Sequence, residues 1–89
     1  MAPQRSAASG AMTDEERLRF FEAKAEQAYD EMYDAMTPGD AAARYSDAKE
    51  ALYDAIGLAR SLGRSAEAAR LEARLDHIKA VYRSQFWQG

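Results

Sequence analysis

Three observations predict an all-α fold in which three helices run up, down and up as one antiparallel bundle. Apolar residues recur in steps of three and four through three successive stretches, which is the period of a helix and not of a strand. Helix stop and start signals interrupt these stretches at "TPGD" and "SLGRS". Those breaks are too short for consecutive helices to lie any way but antiparallel. The composition agrees: 47 % hydrophobic and 30 % charged residues, with two prolines and five glycines, suit one helix-rich domain with a modest core.

The first helix is expected to begin at "TDEE". Thr13 can cap the free amides there, and Glu16 can reach back to complete a capping box. Asp14 and Glu15 suit the positive end of the helix dipole. Its stripe runs Leu18, Phe21, Ala25, Ala28, Met32 and Met36, widened by Phe20, Tyr29 and Tyr33. Residues 1–12 precede this start and are expected to form a disordered leader, leaving 13–89 as the single domain.

The second helix starts at once after the break, with Thr37 as cap, Pro38 at the first helical position and Asp40 at the third. Its stripe is Tyr45, Ala48, Leu52, Ala55, Ile56, Ala59 and Leu62, with Ala41 and Ala51 beside it. So many alanines let neighbouring helices approach closely. Gly63 suits a left-handed helix end, and Ser65 is the expected cap of the third helix. That helix should bury Ala68, Leu71, Leu75, Ile78, Tyr82 and Phe86. Each helix is roughly 23 residues, or about 35 Å at 1.5 Å per residue.

The net charge is −3, unevenly spread. From Thr13 to Met36 eight acidic residues face three basic ones, whereas from Arg64 to Phe86 three acidic face five basic. The first and third helices should run parallel, so an acidic surface is set beside a basic one wherever they adjoin. The acidic balance argues against generic binding to phosphate backbones, and no glycine-aromatic RNA motif occurs. No cysteine is present, which excludes disulfides, thiolate metal sites and a cysteine nucleophile and fits a reducing cytoplasm. No stretch approaches the ~18 apolar residues of a membrane span.

At "RYSDAKEALYDAIGL" an aromatic residue is followed by alanine, a large residue, alanine and an aliphatic pair, at Tyr45, Ala48, Leu52, Ala55, Ile56 and Leu58. This pattern resembles the second helix of a tetratricopeptide (TPR) repeat. "EAARLEARLDHIKAVYRSQF" is similar to the first helix of a following repeat, through Leu71, Leu75, Ile78 and Tyr82. The likeness spans roughly residues 41–86, and the first helix lacks the usual tryptophan, leucine and glycine positions. It implies TPR-like helix packing and a protein-interaction surface.

Candidate chemistry is sparse. There is no G-x-S-x-G, P-loop, dinucleotide glycine fingerprint or HExxH, so no enzyme activity, cofactor or metal is expected. His77 lacks the Glu three residues earlier that a bundle di-metal site requires. Glu22, Glu26, Asp30 and Asp34 form an acidic ridge, read as a solvated face or a docking strip for a basic partner. Arg70 and Arg74, one turn apart, are expected to meet the acidic helix or acid on another chain.

Tyrosines suit core margins and interfaces alike, and Tyr53 lies off its helix's main stripe. Trp87 falls about 100° off the Ile78, Tyr82, Phe86 stripe. It should cover the "MTPG" turn of its own chain or anchor a second one. The residues expected to meet a partner are therefore Phe20, Tyr29, Tyr33, Tyr53, Arg70, Arg74 and Trp87. The expected function is a small cytoplasmic, non-catalytic protein-interaction module. Its alternative is a homo-oligomeric structural bundle, such as a homodimer. Neither nucleic acid nor membrane is an expected partner.

Overall fold

A computed structural model describes residues 12–86, so the expected leader, Met12 apart, and Trp87 both lie outside the described residues. Three helices follow one another: α1 (Asp14–Tyr33), α2 (Pro38–Ser61) and α3 (Ser65–Gln85). The described residues include no strand, and the all-α three-helix bundle predicted from periodicity is the fold observed. None of the three helices is long and apolar enough to cross a membrane.

The helix starts largely follow from side-chain chemistry. Thr13 Oγ1 accepts from the Glu16 amide at 3.1 Å, and Glu16 Oε1 accepts from the Thr13 amide at 2.9 Å, completing the capping box. Thr37 Oγ1 accepts from the Asp40 amide at 3.0 Å, with Pro38 opening α2. Proline also disfavours helical backbone at the residue before it, and Thr37 is extended at φ −136°, ψ 158°. The first helix ends at Tyr33, with Asp34 as its C-terminal cap. Met36, expected on its buried stripe, sits in the connecting turn and is 90 % exposed.

The second connection corrects another expectation. Gly63, at φ +75°, gives its amide to the Arg60 carbonyl, and the Arg64 amide reaches the Ala59 carbonyl at 2.9 Å. These paired bonds form a Schellman ending, which returns the chain to helical geometry at Ser65. Arg64 thus occupies the cap position, with no side-chain cap bond, and Ser65 is already the first helical residue.

The core is aliphatic and small. α2 buries Ala41, Ala48, Ala51, Leu52, Ala55, Ile56 and Ala59, so both neighbours pack closely on it. Met32, Leu52, Leu71 and Ile78 are the largest fully buried side chains, each contributing about 1.5–3 kcal/mol by leaving water. Tyr45 and Phe21 pack at the core's margin. α1 and α3 do not share a comparably close backbone contact. Long side chains span the space between them, and this spacing determines which charges and aromatic rings meet there.

Candidate interaction surface

The seam between α1 and α3 is a ladder of ion pairs. Arg70 holds Glu22 through two bonds of 2.8 Å, and Arg74 holds Glu26 through bonds of 2.7 and 2.6 Å. Arg70 also reaches Glu67 one turn back, and Arg64 forms an ion pair with Glu15 at 2.6 Å. Two-pronged guanidinium–carboxylate pairs are among the stronger polar contacts because both partners are planar and matched. The Arg70 hydrogen bond holds the Glu22 carboxyl below its ordinary pKa, against the opposing effect of burial. The same contacts raise both guanidinium pKa values further.

Two of the four residues in the expected acidic ridge, Glu22 and Glu26, therefore face α3 and are not a solvated strip. Asp30 and Asp34 are exposed. Arg70 and Arg74 stand where charge complementarity places them, against the acidic helix of their own chain.

Above this ladder the seam becomes aromatic. The Tyr29 ring lies 5.0 Å from the Arg74 guanidinium and 6.5 Å from His77, edge-on to the imidazole. Its hydroxyl shares a 3.3 Å hydrogen bond with that of Tyr33. That bond, with burial, pushes the Tyr29 pKa up to about 12. Tyr33 meets Phe86 edge-on at 5.2 Å, Phe86 lies parallel to Tyr82 at 6.1 Å, and Tyr82 stacks on Tyr45 at 3.9 Å. One row of rings thus crosses all three helices near the C-terminal ends of α1 and α3.

Tyr33, between Tyr29 and Phe86 in this row, is 47 % exposed. Beside Phe86 a cleft of about 220 Å³ is lined by Ala35, Met36, Thr37, Pro38, Ala41 and Gln85. The end of α3 therefore adjoins the "MTPG" turn, as parallel α1 and α3 require.

The residues expected to meet a partner divide into groups. Tyr29, Tyr33 and Arg74 come together, with Arg70 one turn further along the same seam. Tyr53, 53 % exposed, lies on the outer side of α2 with Lys79 Nζ 5.9 Å from its ring. Phe20 stands apart on the outside of α1, edge-on to Phe21 and near Lys24. His77 is exposed and touches the aromatic row only through Tyr29.

Sequence reasoning left Tyr45, Lys49, Lys79, Tyr82, Arg83 and Phe86 out of the partner-binding set. Tyr45, Lys49 and Tyr53 are spaced four apart and so share one face of α2. Lys79, Tyr82 and Arg83 share one face of α3 for the same reason. Only the packing of α2 on α3 joins the two sets.

Among the described residues no group of three or more His, Asp or Glu side chains could hold a metal ion. A polar groove of about 410 Å³ between α1 and α2 is lined by Lys24, Arg44 and four carboxylates, Glu31, Asp47, Glu50 and Asp54. Arg44 spans Glu31 and Asp47 across it at 3.4 and 3.3 Å. No protein-family model matches the chain, and neither curated proteins nor solved structures provide a match.

Proposed function

We propose that this protein is a small, non-catalytic interaction module, a TPR-like helical adaptor working in the cytoplasm, that holds a protein partner through the aromatic end of its bundle. The continuous row Tyr29, Tyr33, Phe86, Tyr82 and Tyr45 carries this reading. The core beneath it is filled by alanine, leucine, isoleucine and methionine, so these rings complete its margin without being its centre. Tyr33 and the neighbouring Met36 present apolar area to solvent, and aromatic residues and methionine are enriched where proteins bind one another. The resemblance of residues 41–86 to TPR helices supports the same reading.

The alternative, a homo-oligomer, would join the acidic α1 of one copy to the basic α3 of another. Those charges already find partners within one chain, which favours the adaptor. A photo-reactive phenylalanine analogue replacing Tyr33 in the intact chain provides the test. We expect a discrete adduct with another protein, greatly diminished by Phe86→Ser, and none from the same analogue at Gln27. Adducts only between copies, with a dimer by light scattering, would favour the oligomer; equal labelling from both positions would remove the assigned surface.

A further inference from the structure

Cation pairing is uneven over the molecule. Arg17, Arg19, Arg44, Arg60, Arg64, Arg70 and Arg74 each pair with a carboxylate of this chain. Among the described residues Lys24, Lys49, Lys79 and Arg83 have no such pair, and three of these four lie on the outer face formed by α2 and α3. Asp76, one turn before Lys79, forms no ion pair with it. Lys79 and Arg83 line a cleft of about 190 Å³ with Tyr45 and Tyr82. Lys49 Nζ lies over the Tyr45 ring at 4.5 Å, and Tyr53 extends the same face along α2.

We infer that this outer α2–α3 face, built from Tyr45, Lys49, Tyr53, Lys79, Tyr82 and Arg83, docks an acidic segment of the partner protein. The inference rests on the adaptor reading and names the partner's chemistry. Cations that no carboxylate of this chain pairs supply charge complementarity, which sets partner choice and association rate. The tyrosines supply flat, partly apolar area with a polar edge. A carboxylate on a peptide can approach the Lys79–Arg83 cleft while neighbouring apolar side chains rest on Tyr53 or the Tyr45 edge.

Nucleic acid fits less well. Tyr45 and Tyr82 already stack on each other at 3.9 Å and Tyr82 lies parallel to Phe86, so these ring faces are engaged within the chain, whereas single strands bind through free ring faces. The α1–α2 groove, with its four carboxylates, would also repel a polyanion wrapping around the molecule.

The test uses the intact chain and a short fluorescent peptide of alternating Glu and Leu, acetylated and amidated so that side chains and not chain ends are read. Fluorescence anisotropy should show binding that weakens with salt, and about tenfold weaker binding for the Gln/Leu counterpart. The double substitution Lys79→Glu, Arg83→Glu should weaken it by at least that factor, whereas Lys24→Glu, altering the unpaired cation on the other side, should leave it unchanged. Circular dichroism of each variant reports folding.

Equal binding by the double variant and the parent would overturn the inference, as would preferential binding of oligo-dT or phosphatidylserine vesicles. A Tyr33 adduct that persists in the double variant would leave the adaptor reading standing and refute this docking face. Loss of both adduct and peptide binding in a folded double variant would support the two together.

Discussion

The two flanks of α3 carry the same sign of charge in different states. Toward α1, Arg64, Arg70 and Arg74 end on Glu15, Glu22 and Glu26. Toward the outer side of α2, Lys79 and Arg83 end on no carboxylate and flank two stacked tyrosines. A basic helix is thus internal adhesive along one edge and an open cationic surface along the other. The charge count of a helix does not decide whether its charge is available; the residue that register places opposite it does.

The largest expected effect lies beneath both flanks. Leu71 is 1 % exposed, and Leu71→Ala should cost about 3 kcal/mol by loss of burial and formation of a cavity, read from urea unfolding. Both flanks should loosen together in hydrogen exchange. If only the α1 side loosened, α3 would not be one cooperative element.

Next come the flanks themselves. Arg74→Ala removes two hydrogen bonds and a contact with the Tyr29 ring, at a cost of about 1 kcal/mol. Arg83→Ala should change stability by less than about 0.5 kcal/mol, because it leaves no partner unpaired. Equal costs would erase the distinction between the flanks.

Acid should weaken the paired flank. The folded-state pKa of Glu22 is depressed below the usual 4.5, so around and below that value the unfolded chain binds more protons. Its stabilisation is present at neutral pH and is lost as pH falls through the lowered folded value. Thermal melts across this range should show a smaller decline for Arg70→Met than for the parent chain.

The smallest effect is spectroscopic. Absorbance titration should find one tyrosine ionising near 12, and Tyr33→Phe should bring that value down by removing the shared hydrogen bond.

Much of the fold is written locally. Thr13 with Glu16, Thr37 with Pro38, and Gly63 each act within a few residues, so element starts and ends could be read in order along the chain. Where local rules competed, reading by type alone misled: Ser65 has cap chemistry, yet the Schellman ending at Gly63 moves the cap position to Arg64. Met36 keeps the helical spacing, but Thr37 and Pro38 require extended backbone before α2 can begin.

The site was legible only in parts. Parallel α1 and α3 with opposite charge implied a seam, and the structure adds which glutamate each arginine takes. The Tyr45–Tyr82 stack joins residues from different helices, and no spacing within either helix encodes it.

The seam has one further consequence. Glu22 and Arg70, Glu26 and Arg74 are each separated by 48 positions, and so are Tyr29 and His77. A constant interval across two turns and all of α2 makes the middle helix a ruler. One residue inserted within it would rotate everything beyond by about 100° and advance it about 1.5 Å, taking several contacts out of register together. Tolerated changes of length should therefore gather in the turn around Asp34 to Met36, where the backbone can absorb a residue before Thr37 resets the count.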